Sequence, residues 1–338
     1  MALRDVGRDA QGKRGIMQGV GVIEFGGPEA LQVVDLPEVH AAPGEVRIRV
    51  HAAAVNPTDT FVRNGARAEA LGKDPPPYIP GMDLAGVIDE IGADAATDLA
   101  VGDAVMAMVL PTGSHGAYRE SIVLAADSVV RAPVGSTHVE AATLPMNGLT
   151  ARLSLDELAL QPGQTVAVTG AAGCYGGYVV QLAKADGLRV IADASSADEQ
   201  LVRDLGADLV VPRGDDIAAQ IRNVAPDGVD ALADGAVQNE LAVGAVRDGG
   251  GFASVRGWGS SGERGIAFHR TMVREYDHRV DLLDRLRQQT EDGLITLRVA
   301  ATYAPEAAAE AHRRLEAGGT RGRCVIVFSA APDLAGGQ

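Results

Sequence analysis

Cysteine is scarce in this chain: Cys174 and Cys324 are its only two, far apart in 338 residues. Two thiols build neither a disulfide framework nor a four-thiolate zinc site, and a reducing cytoplasm is the compartment expected for such a chain. Positive charge is also in short supply. Against 45 Asp and Glu stand 30 Lys and Arg, a formal charge of −15. That balance argues against nucleic-acid binding, which needs concentrated cations opposite phosphates. No apolar run approaches the ~20 residues that cross a bilayer, so no membrane association is expected. Residues 1–15 are polar and mixed in charge, without the apolar core of a signal peptide, and read as a flexible tail. Seven histidines (His40, His51, His115, His138, His269, His278 and His312) follow no metal-ligand spacing. What the chain has is apolar content, 46% of its residues. Its length exceeds one ordinary core, so two domains are expected.

Hydrophobic patterning changes along the chain. From Val20 to about Pro133 it has period two with glycine turns, as in GEVRIRVHAAAV, where Val46, Ile48 and Val50 alternate with charged residues. Such alternation marks half-buried antiparallel strands, and this region reads as a mostly β domain, plausibly a barrel. From about Gly148 to Val255 strands and helices alternate. Strands are expected at 165–169, 188–192, 209–211, 229–233 and 251–255, with helices at 215–223 and 239–246. That order implies a doubly wound parallel sheet. Beyond Arg274 come a helix, a strand, a helix over 305–317 and a last strand over 323–328, expected to return to the β domain.

The densest signal lies between Gln161 and Ala207. Thr165–Thr169 is a short β-branched run, followed at once by Gly170-Ala171-Ala172-Gly173-Cys174-Tyr175-Gly176 and an amphipathic helix that Gly187 ends. A strand, a glycine turn, a helix and a second strand form the unit that a dinucleotide pyrophosphate requires. Small residues let the backbone approach the phosphates, and the helix N-terminus offers N–H groups and a favourable dipole.

Taken in order, the motifs EFGGPEALQVVDLP, AAVNPTDTFVRNG, YIPGMDLAGVIDEIG, VGDAV, GAYRE, AATLPMNGLTA, the glycine turn, LGAD and GRCVIVF resemble the medium-chain dehydrogenase/reductase family, in its zinc-less quinone-oxidoreductase branch. The resemblance covers about Met17 to Phe328. It implies a GroES-like domain from 16–147 and 276–338, a Rossmann domain from 148–275, and substrate in a cleft between them. It also implies a homodimer, because the last Rossmann strand presents an edge that a second copy extends.

Zinc-bearing relatives place a Cys where this chain has Asn56, and a Gly-His-Glu where it has Gly81-Met82-Asp83. Their cysteine-rich lobe is missing. Asn and Met are poor zinc ligands, so no metal is expected. Hydrogen bonds must then polarise the carbonyl. That suits hydride transfer to a quinone or to a carbon–carbon double bond conjugated to a carbonyl. The resemblance points to Asn56 and Asp59 as polarising or proton-delivering groups; an Asx-type turn explains them equally well. Where many relatives have a Tyr this chain has Phe61, so solvent or another group must deliver the proton, with Tyr78 and His115 as the candidate side chains. Tyr78 also suits a packed role among prolines.

For the cofactor, the resemblance sets Asn147 and Thr150 near the nicotinamide and Val255 over it, with Gly170, Ala171, Gly173, Cys174, Tyr175 and Gly176 along the pyrophosphate. Cys174 replaces a glycine, and a side chain there narrows the approach. Asp193 falls 17 residues after Gly176, close to where an acid binds the ribose of NAD, although strand alternation offers to turn it away. Ser195 and Ser196 resemble the hydroxyls that NADP-dependent relatives set on the 2′-phosphate; Ser196-x-x-Glu199 also reads as a capping box. Arg203 or Arg323 would add positive charge. NADP(H) is favoured over NAD(H). The leading expectation is a zinc-independent, NADPH-dependent enone or quinone reductase with a small-molecule substrate. Its alternatives are an enoyl-thioester reductase acting on a carrier-bound chain, and a redox-silent protein of the same fold.

Overall fold

The computed structural model describes residues 15–260, 262–276 and 279–328. The tail expected over 1–15 lies outside them apart from Gly15. Contacts divide the chain into two units. One comprises residues 1–146, 277–288 and 297–338; the other comprises 147–276 and 289–296.

The first unit opens with strands β1 (Ile16–Gly21) and β2 (Gln32–Pro37), an antiparallel pair. Then come β3 (Glu45–Ala54), helix α1 (Pro57–Arg63), β4 (Asp83–Ile91), β5 (Ala104–Met108), β6 (Ser121–Ala125), β7 (Val130–Arg131) and the short helix α2 (His138–Ala141). Val46, Ile48 and Val50 of β3 all point into the core, as their alternation with charged residues dictates.

In the second unit, helix α3 (Pro145–Leu158) leads to β8 (Thr165–Thr169), α4 (Cys174–Ala185), β9 (Arg189–Ala194), α5 (Glu199–Asp204), β10 (Leu209–Pro212), α6 (Ile217–Val224), β11 (Val229–Asp234), α7 (Glu240–Val243), β12 (Val246–Ser254) and β13 (Ala267–Arg270). Its sheet is wholly parallel, in the order β10-β9-β8-β11-β12-β13. The chain winds outward from β8 to one side and then restarts on the other with β11. The switch point therefore falls between β8 and β11, where ligands bind in open α/β sheets. A core around Ile191, Leu232, Val246 and Phe252 closes one face.

Two local expectations change. The helix expected over 239–246 shrinks to Glu240–Val243, because Val246 already pairs with Val229 as the first residue of β12. Burial in the sheet outweighs the helical reading of that apolar run. The capping box expected from Ser196 to Glu199 is not formed. Asp198 is the N-cap of α5, and the Ser195 hydroxyl donates to its carboxylate at 2.7 Å.

The chain then adds α8 (Val280–Glu291), β14 (Val299–Tyr303), α9 (Ala308–Glu316) and β15 (Arg323–Val327). β15 pairs antiparallel with β3, so both ends of the chain share one seven-stranded sheet, antiparallel except between β14 and β15. The result is an α/β protein with a doubly wound parallel sheet and a mostly antiparallel β unit.

Candidate functional site

In the parallel unit, the glycine turn leaves β8 at the switch point. Gly170 sits at φ +66°, and a Cβ there would lie 2.9 Å from the Gly235 carbonyl carbon and 3.0 Å from the Ala236 nitrogen. A Cβ on Gly176 would run into the Gly170 carbonyl oxygen. Both positions accept only glycine, and the turn folds tightly enough to bring backbone N–H groups to the start of α4. A pyrophosphate is the kind of anion that such backbone N–H groups accept.

The two unusual side chains of the turn are taken up in packing. Cys174 and Tyr175 are both buried. The Tyr175 hydroxyl lies 2.7 Å from the Ser154 hydroxyl of α3, and its ring lies against Gly235 at the end of β11. The Ser154 hydroxyl also lies 3.0 Å from the Thr150 carbonyl and 3.3 Å from the Thr271 hydroxyl. Burial raises Tyr175 above its ordinary value and keeps it neutral.

Asp193 ends in the same turn. Only 2% exposed, it accepts the Ala171 N–H at 3.1 Å through Oδ1. Asp234, at the end of β11, is fully occupied: it accepts from the Thr169 hydroxyl at 2.5 Å and from the Gln238 and Asn239 amides at 3.0 and 2.7 Å. Ser196 is exposed, as is Arg213 just after β10, and Arg213 acts electrostatically on Asp193. Arg213 carries no signal in the sequence; it reaches this end of the sheet because β10 lies beside β9 in parallel register. Asn147 and Thr150 are buried on the first turns of α3, and Val255 is half-buried just beyond β12. Trp258 packs edge-on to Phe252 and Phe268, and its indole N–H donates to Glu240 at 2.7 Å.

The β unit holds a second polar constellation. Asn56 and Asp59 share the first turn of α1, both at 0% exposure. Asp59 accepts the Asn56 N–H at 2.7 Å, the Gly81 N–H at 3.1 Å and the Tyr118 hydroxyl at 3.0 Å. Asn56 passes its amide N–H to Asp83 at 2.6 Å, and Asp83 accepts the Met146 N–H at 2.6 Å. Behind Tyr118 stands His312, its Nε2 3.3 Å from the phenol oxygen. Arg63 donates to His312 Nδ1 at 3.3 Å and to Glu316 at 2.6 Å. Because an arginine only donates, the His312 proton sits on Nε2 and faces Tyr118.

Burial dominates the titration here. It pushes Asp59 up to about 6 and Asp83 up to about 7, against the pull of their hydrogen bonds and of Arg323. It pushes His312 down to about 3, with Arg63 adding to the effect. Arg323, a candidate cation for the cofactor, lies in β15, where its charge acts on Asp59 and Asp83. Tyr78 stacks on Phe25 at 5.0 Å and pairs its backbone with Val22. His115 is half-buried in a loop, its backbone paired with Thr112. No group of three His, Cys, Asp or Glu among the described residues is arranged to hold a metal ion.

The chain thus combines a parallel sheet that carries a glycine turn at its switch point with a mostly antiparallel unit that both early and late strands build. Residues 42–134 match the family described as the alcohol dehydrogenase GroES-like domain, and 205–326 match the one described as zinc-binding dehydrogenase. Mouse quinone oxidoreductase is 36% identical over 57% of this chain and 57% of its own length, a little over half of that relative. A solved NAD-dependent alcohol dehydrogenase is 30% identical, with a TM-score of 0.82 over 93% of this chain and 100% of the other. The quinone oxidoreductase of Coxiella burnetii is 25% identical, with a TM-score of 0.79 over 93% of this chain and 100% of its own. The chain belongs to the medium-chain dehydrogenase/reductase family and is quinone oxidoreductase-like. No helix among the described residues is long and apolar enough to cross a membrane.

Proposed function

We propose that the protein is an NADPH-dependent reductase of quinones or of carbon–carbon double bonds conjugated to a carbonyl, working without zinc. The observation that carries this reading is the glycine-only turn at the switch point of a parallel sheet, in a chain similar to quinone oxidoreductases. Bound there, a nicotinamide dinucleotide supplies the hydride. The backbone from Gly170 to Gly176 would hold its pyrophosphate, with Asn147, Thr150 and Val255 toward the nicotinamide. Ser196 and Arg213, exposed beside the ends of β9 and β10, would take a 2′-phosphate, while Asp193 is turned into the glycine turn instead of outward. A guanidinium opposite a phosphate favours NADPH over NADH.

Asn56, where zinc-bearing relatives have a Cys, is bonded to Asp83 of the stretch that replaces their Gly-His-Glu, which supports a reaction run on hydrogen bonds. Asn56 and Asp59 then act as positioning residues that fix the start of α1. Tyr78 and His115, neither fully buried, or solvent would deliver the proton. A homodimer through β13, whose outer edge has no strand neighbour among the described residues, completes the reading; light scattering on the purified protein checks it.

Titration with NADPH and with NADH tests the core of the proposal. NADPH is expected to bind the tighter of the two. Arg213→Ala is expected to weaken NADPH about tenfold, as loss of one charge-assisted contact does, and to leave NADH within about twofold. Failure of both nucleotides to bind the wild type sinks the reading.

A further inference from the structure

Asp193 poses a question that the dinucleotide reading, on which this inference rests, does not answer. The carboxylate is 2% exposed, and Oδ1 accepts the Ala171 N–H. Oδ2 is sealed from solvent and has no hydrogen-bond partner among the described residues. Buried polar atoms left in this state are few in folded proteins, and each calls for a physical reason. The charged groups facing it are Arg213 beyond β10, which favours its ionised form, and Asp234 at the end of β11, which opposes it. Burial is the largest influence and raises Asp193 above the ordinary carboxylate range, against the pull of the Ala171 and Gly170 amides.

The placement sets up a competition. Ala171 belongs to the turn whose amides would meet the pyrophosphate, and the carboxylate already takes its N–H. An ionised Asp193 also puts a negative charge into the cradle for another anion, in a setting where solvent screens little. A neutral carboxyl removes that charge and turns Oδ2 into an O–H donor, which gives the unpartnered oxygen a use.

We infer that Asp193 is a proton-linked determinant of dinucleotide affinity: binding is accompanied by uptake of one solvent proton onto its carboxylate, and ionisation of Asp193 weakens binding. The sign follows from linkage. If the bound state holds the proton more tightly than the free state, affinity is highest at low pH. It then falls as pH rises from the free group's value toward that of the complex. The role is one of positioning and charge, and Asp193 touches no reacting atom.

The test uses the full chain, wild type and Asp193→Asn, with NADPH binding followed by nicotinamide fluorescence and calorimetry from pH 5.5 to 8.5. The asparagine keeps an oxygen for Ala171 and carries no charge. Titration of the nucleotide's own phosphate is common to both proteins, so the difference between them belongs to Asp193. The wild-type Kd is expected to rise at least fivefold more than that of the variant over this range. Calorimetry in paired buffers of different ionisation enthalpy should show proton uptake by the wild type. The same paired-buffer titration of wild type with NADH, which has no 2′-phosphate, reads that uptake even if the variant fails to fold. Parallel pH profiles without proton uptake overturn the inference and leave the cofactor site standing. Absence of binding by either nucleotide at every pH removes the dinucleotide reading and this inference together.

Discussion

Asp59 in the β unit and Asp193 in the parallel unit are both removed from water, yet their surroundings treat them differently. Asp59 accepts three hydrogen bonds, from the Asn56 and Gly81 amides and the Tyr118 phenol, and Arg323 counters its charge. Asp193 accepts at Oδ1 and has an oxygen without a partner among the described residues. A saturated buried carboxylate ties α1, the Gly81 segment and Tyr118 together and has nothing left to offer a ligand. One that is half satisfied costs stability and keeps an unspent atom beside the place where an anion is expected. Two aspartates with similar burial thus differ in the number of donors around them.

The sharpest way to break this contrast is to truncate both. Asp59→Ala strips the acceptor from three buried donors and is expected to cost about 3–5 kcal/mol in denaturant unfolding. Asp193→Ala, which orphans the Ala171 amide while removing a strained charge, should cost no more than about 1–2 kcal/mol. Equal losses would mean that donor count does not separate scaffold from site.

A second test uses pH within the β unit. Asp59 and Asp83 are raised to about 6 and about 7. Between the unfolded carboxylate value and those values, the folded state holds protons that the unfolded chain has lost. Their stabilisation is therefore complete in acid and disappears as pH climbs through 6 and 7. The histidines work the other way. His51 and His138, stacked at 4.5 Å, are both lowered by burial, His138 to about 4, and His312 is lowered to about 3. Their contribution is complete above the unfolded histidine value and is lost as pH falls toward 4 and 3. From pH 4.5 to 6 the two sets oppose each other, so wild-type stability should change less than either set alone dictates. His138→Phe keeps the stack and removes one rising contribution. Relative to wild type, its stability should then fall by roughly 2 kcal/mol across that range, at about 1.4 kcal/mol per pH unit for the one proton removed. Melting curves at pH 4.5 and 6 read the difference, and identical profiles for the two proteins would refute the opposition.

The two units were also unequally legible. The glycine turn could be read because its parts lie within a few residues of each other, and a turn followed by a helix leaves a local signature. The β8, β9 and β11 strands are short apolar runs that the parallel sheet buries on both faces. The Asp59 network could not be read in the same way. Tyr118 is 59 residues from Asp59 and 194 from His312, and nothing in either local pattern says that they meet. Asn56 and Asp59 were visible as a pair only because they share one helical turn. Arg323 looked like a spare cation until β15 paired with β3. At 239–246 an apolar stretch suited both helix and strand, and the parallel pairing of Val246 with Val229 decided it.

Tyr175 gives the smallest and finest test of the comparison, because it shares the glycine turn with Asp193 and yet is saturated like Asp59. Its hydroxyl is hydrogen-bonded to that of Ser154, which also reaches the Thr150 carbonyl and the Thr271 hydroxyl, so the phenol oxygen is partnered inside the protein. Removing the oxygen in Tyr175→Phe leaves Ser154 with a working donor and empties only a small, partly polar space. The expected cost is about 1 kcal/mol, the usual worth of one buried hydrogen bond. Nucleotide affinity should stay within about twofold and keep the wild-type pH dependence, in contrast to Asp193→Asn. A tenfold loss of affinity with unchanged stability would mean that the phenol serves the ligand and not the turn. Donor saturation would then fail as the rule that separates scaffold from site, even inside a single loop.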